Sequence, residues 1–135
     1  MTLIFKDAEI QEELSNMYDL LVSKTDIIRQ ELACYRENFC DACDKFIADG
    51  FTSDQDWISA NNNHHQKFIE YDTHCHLVDI VNDFKDLYGQ FPEYLDMYAT
   101  LENLMIHLAN EEKYEAAAII KLWVDKIKTA IVEFR

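Results

Sequence analysis

Leu101-Glu-Asn-Leu-Met-Ile-His-Leu-Ala-Asn-Glu-Glu-Lys-Tyr-Glu-Ala-Ala-Ala-Ile-Ile-Lys121 decides the fold of this chain. Tyr98, Leu101, Met105 and Leu108 recur at the spacing of one helical face, and Tyr114, Ala117, Ile120, Val124 and Ile127 repeat the pattern. Asn110-Glu-Glu-Lys113 between them holds no apolar residue and is short enough to force the two helices side by side. Residues 92–135 therefore read as a helical hairpin.

Outward from the hairpin the same periodicity continues. Ile10, Leu14, Met17 and Leu21 form one stripe, and Ile28, Leu32, Tyr35, Phe39, Ala42 and Phe46 form another. Ser23-Lys-Thr-Asp26 interrupts them, with Thr25 a candidate cap for a fresh helix. Gly50 has the place of a residue just past a helix end, and Ser53 with Asp56 has the spacing of a capping box. A long helix through Trp57, Phe68, Tyr71, Cys75 and Val78 follows, then Gly89 as a stop and Pro92 in the next first turn. With only two glycines and one proline, strand-and-turn architectures lack punctuation. The expectation is an all-α single domain over residues 1–135, an antiparallel bundle of four to five helices. They fall near 7–49 (either broken around 23–26 or running on through that polar patch), 54–88, 92–110 and 112–134. The expected core is Leu14, Leu21, Ile28, Leu32, Phe39, Phe46, Phe68, Val78, Leu101, Met105, Ala117 and Ile120.

The hairpin residues resemble the UVR motif, the short helical hairpin of UvrB and UvrC that also occurs in some Clp ATPases and their adaptors. Leu101, Met105, Leu108 and Ala109 match its first helix, and Tyr114, Glu115, Ala117, Ala118 and Ile120 its second. Lys121-Leu122 stands where that family favours Arg-Asp, and the match covers about a fifth of the chain, residues 101–127. The resemblance implies association with a protein partner, basic or of the UVR/Clp type, and no catalysis. Tyr114 at the turn, Lys121 at the departure and Trp123 between Ile120 and Val124 are the candidate partner-binding residues. Trp123 is equally placed to finish the bundle's own core.

Charge narrows the partner classes. The chain holds 26 acidic and 12 basic residues, a formal net of −14. Residues 100–135 are near balance, with five basic against six acidic residues, so the rest of the chain carries most of the excess. Such a field repels nucleic-acid phosphates and anionic lipid, which argues against direct binding to nucleic acid or membrane. It favours basic partners. A second function class is therefore an acidic mimic of nucleic acid that occupies a basic groove through Asp41, Asp44, Asp49 and Asp56. The start of the chain lacks a signal-peptide pattern, which points to the cytoplasm and reduced thiols.

A third class is a zinc-binding bundle. Cys40 and Cys43 have C-x-x-C spacing, and a hairpin turning at Gly50 sets them opposite His64 and His65, a set suited to tetrahedral zinc. Buried cysteine as a small hydrophobe is the bland reading of the same residues. The Glu-x-x-His spacing of di-iron bundles, a phosphate-binding glycine loop and a nucleophile elbow are all absent from the sequence. No catalytic residue is expected.

Overall fold

The computed structural model describes residues 3–132, and side chains from Asp7 to Ile131. It is built of four helices: α1 (Leu3–Ala48), α2 (Asp54–Phe84), α3 (Tyr94–Asn110) and α4 (Tyr114–Val132). Among the described residues there is no strand, and no helix is long and apolar enough to cross a membrane.

α1 runs unbroken for 46 residues. Of the two alternatives at 23–26 the helix runs on, and Thr25 donates its hydroxyl back to the Leu21 carbonyl at 2.7 Å, which satisfies it within the helix. α2 passes through Asn61–Asn63, three residues that are poor helix formers, without interruption. It ends at Phe84, earlier than expected, because the Asp86 carboxylate accepts the backbone N–H groups of Tyr88 and Gln90 at 2.8 and 2.9 Å. Those bonds build a turn in place of a further helical one.

Both hairpin turns use the same device. At the end of α1, Phe51 N–H reaches the Phe46 carbonyl and Gly50 N–H the Ile47 carbonyl, with Gly50 at φ +70°. At the end of α3, Lys113 N–H reaches Leu108 and Glu112 N–H reaches Ala109, with Glu112 at φ +64°. This is the left-handed helix stop that glycine favours, and in the second turn a glutamate occupies its strained position. The capping box read at Ser53 is not made: Ser53 precedes α2, but its hydroxyl makes no capping bond.

The core lies where all four helices overlap. Leu14, Leu21 and Ile28 from α1, Leu77 and Val81 from α2, Phe91 from the loop, Met97 and Leu101 from α3, and Ile120 and Ile127 from α4 are essentially inaccessible. The backbones of α1 and α3 stay more than 8 Å apart, and each packs closely on α2 and α4. Gln11 locks the α2–α3 loop to α1, donating to the Phe91 carbonyl at 2.9 Å and accepting its N–H at 2.6 Å.

α3 and α4 have 17 and 19 residues, so they cover less than half of α1. Beyond Leu32 in α1, and before Thr73 in α2, no residue is buried. Of these segments, α1 from Phe39 and α2 up to His64 form a two-helix arm, which extends roughly 16 Å past the α3–α4 turn at 1.5 Å per residue. Cross-pairs hold it: at its base Lys67 to Glu31 at 3.6 Å, then Phe39 stacked on His64, Phe46 on Trp57, and Lys45 to Asp56 at 3.3 Å. The expected core residues Phe39 and Phe46 are thus only half-buried, because two helices leave one side of every contact open to water. Val78 and Met105 are half-buried at the bundle edge, and the other expected core residues are buried except Phe68. Phe68 is 47% exposed. It lies nine residues before Leu77, about 180° around the helix from it at about 100° per residue, so it points away from the α1 side.

Candidate partner-docking site

The α3–α4 turn does more than reverse the chain. Glu111 straps it, accepting from His107 Nε2 at 2.9 Å and pairing with Lys113 Nζ at 3.3 Å. Lys113 then starts α4, its carbonyl accepting the Ala117 N–H. Small side chains at Ala116 and Ala117 keep α4 close to its neighbours there, Ala117 buried and Ala116 half-buried.

Where this turn meets the mid-point of α2 the surface is concave. A groove of about 710 Å³ is floored by Ile69, Leu104, Leu108, Ala116 and Ile120. Phe68 stands on its α2 side and Tyr114 on its turn side, 47% and 64% exposed. His65, Asp72, His76, Glu112, Lys113 and Glu115 stand on the rim. Two large aromatic rings thus stand in water beside an apolar trough, which makes this surface a candidate docking site.

Of the three partner-binding candidates, Tyr114 is on this rim. Lys121 is exposed on the outer side of α4, within 4.0 Å of Asp125, and does not line the groove. Trp123 is withdrawn from the surface, only 4% exposed. Its Nε1 donates to His74 Nε2 at 3.2 Å, while His74 Nδ1 lies 2.7 Å from the Glu70 carbonyl. Because the indole can only donate, His74 must accept at Nε2 and carry its proton on Nδ1. That bond, rather than a partner, takes up Trp123.

The zinc candidates do not converge. Cys40 faces solvent, and Cys43 Sγ accepts the Trp57 Nε1–H at 3.2 Å. His64 stacks on Phe39 with ring centres 5.6 Å apart. His65, one position on and about 100° around the helix, faces the groove instead. Among the described residues, no three His, Cys, Asp or Glu side chains come together in a group able to hold a metal ion. The C-x-x-C spacing sets the thiols about 60° apart on one side of α1, but only Cys43 reaches α2, where Trp57 takes up its sulfur, while Cys40 stays in solvent.

Asp41, Asp44, Asp49 and Asp56 are all exposed on the arm, and Asp56 is partly engaged by Lys45. The sequence reading missed Phe68 as a surface residue and Glu112 as a left-handed one. Counting helical phase back from Leu77 and Val81 would have exposed the first. The second had no signal, since a left-handed stop is ordinarily announced by glycine.

No protein-family model, curated protein or solved structure matches the chain. Geometry and sequence therefore carry the functional reading.

Proposed function

We propose that this chain is a non-enzymatic protein-interaction module or adaptor, and that it docks its partner at the end of the α3–α4 hairpin. The observation that carries the reading is the apolar groove flanked by the exposed rings of Phe68 and Tyr114. Aromatic side chains beside a pocket are the usual energetic anchors of an interface, since they bury large area at little rotamer cost. The UVR-like pattern of residues 101–127 supports the same face, and makes a basic protein or a UVR/Clp-type protein the expected partner. Affinity capture from the source cells tests it, using wild type and the Tyr114→Ala and Phe68→Ala variants, with folding verified by melting. A partner held by wild type and lost by both variants is the expected result. Full retention by both would remove the groove from the mechanism.

A further inference from the structure

Resting on that docking reading, we infer that the groove receives a single amphipathic helix from a partner protein, with lysine or arginine flanking its apolar face. The shape argues for a helix. The trough follows α2 from His65 to His76, about 16 Å or three turns at 1.5 Å per residue. That length suits three or four apolar side chains spaced at i, i+3 and i+7 along a helix. Phe68 and Tyr114, standing in water on its two sides, are placed to close over such a helix.

Charge selects the flanks. Asp72, Glu112 and Glu115 stand on the rim, while its single lysine, Lys113, is already paired with Glu111 at 3.3 Å. The rim therefore presents uncompensated carboxylates around an apolar floor, within a chain of net −14. An acidic or neutral helix would meet repulsion or unpaired carboxylates there, whereas a basic one is steered in and held in register.

The test uses the full chain and synthetic peptides. A fluorescent 14-residue Leu/Lys peptide patterned as an amphipathic helix is titrated against wild type. The same composition scrambled, and a Leu/Glu peptide of the same pattern, serve as comparisons. Wild type should prefer the patterned Leu/Lys peptide by at least about tenfold over both. Phe68→Ser and Tyr114→Ser should each weaken it by about tenfold, as expected for an aromatic anchor. Ile47→Ser, which removes an equally exposed apolar residue from the arm, should leave it unchanged. Should a groove variant fail to fold, a photo-crosslinking Leu/Lys peptide on wild type decides: adducts must fall within residues 65–76 and 104–120. Equal binding of the scrambled peptide, equal loss with Ile47→Ser, or adducts on the arm would overturn the inference. Preference for Leu/Glu that still depends on Phe68 and Tyr114 would overturn the basic partner and leave the docking reading standing. A dimer seen by sedimentation in wild type and abolished by Phe68→Ser would make a second copy the occupant instead.

Discussion

At the scale of single residues, Glu112 gives the sharpest expectation. Its φ of +64° is one that a side chain with a Cβ adopts only at a cost of roughly 1–2 kcal/mol. Glu112→Gly should therefore stabilise the fold by about 1 kcal/mol in urea denaturation, with the turn's hydrogen bonds intact. If the strained glutamate serves the groove, the same variant should bind a basic helix less well. A loss of stability would show that the carboxylate, not the backbone, matters to the turn. Gln11 points the other way. Its amide satisfies both the N–H and the carbonyl of Phe91 inside the core. Gln11→Ala should cost about 1–3 kcal/mol, because two buried backbone groups lose their partner. The two phenylalanines Phe68 and Phe91 separate exposure from burial. Truncating Phe91 to Ala should cost about 3–5 kcal/mol. Truncating Phe68 should cost less than about 1 kcal/mol, and a larger loss would place its ring in the core.

At the scale of elements, the arm and the bundle should differ in how firmly they hold. The arm's helices bury no residue completely, whereas α4 contributes Ala117, Ile120, Trp123, Val124 and Ile127 to the core. Amide exchange in 33–48 and 54–68 should therefore proceed by local opening, well ahead of amides in 117–130, which wait for global unfolding. Uniform protection along α1 would refute this. Lys67 is the ion-pair clasp at the base of the arm, between Glu31 at 3.6 Å and Glu70 at 3.0 Å. Partial burial alone would lower its ammonium, but the hydrogen bond and charge of Glu70, with Glu31 behind it, outweigh that and raise it above the usual 10.5. A raised ammonium stabilises the fold fully below its unfolded value, and that contribution fades as pH rises through the folded one. Melting followed from pH 9 upward should show an alkaline decline that Lys67→Met makes shallower. An identical decline in the variant would assign it to Tyr71 and Tyr98, whose hydroxyls are also raised, by hydrogen bonds to Cys75 and Glu102.

For the whole molecule the governing quantity is the net charge of −14. Like charges repel more strongly in the compact state than in the expanded one, and salt screens them over about 10 Å at 0.1 M. Added sodium chloride should therefore raise the melting temperature, while weakening the association with a basic partner. A melting temperature that falls with salt would mean that local ion pairs, such as Arg29 with Asp26 at 2.6 Å, outweigh the global repulsion. The opposed trends also separate docking from folding. A variant that has lost its groove contact keeps its salt response in melting, while its salt response in binding flattens.

While Leu77, Val81, Phe91 and Met97 were outside the expected set, the sequence by itself determined the helices, their order and part of the bundle core. Those follow from local periodicity and from turns that stand within a few residues of the helices they end. Leu14, Leu21, Ile28, Leu101, Ala117 and Ile120 were legible for that reason. The fate of Phe39, Phe46, Phe68 and Trp123 depended on which helices reach far enough to cover them, and helix length against a neighbour is a tertiary matter. α3 and α4 stop short of the arm, so Phe39 and Phe46 are covered from one side only. The α2 phase turns Phe68 toward the groove, and α4 carries Trp123 to within hydrogen-bonding distance of His74. Metal-like spacing in Cys40, Cys43, His64 and His65 was visible in the chain, but the helix rotation that points them apart was decided only when α1 and α2 packed. The groove itself belongs to no segment, because it exists only where the end of one hairpin meets the middle of a helix from another.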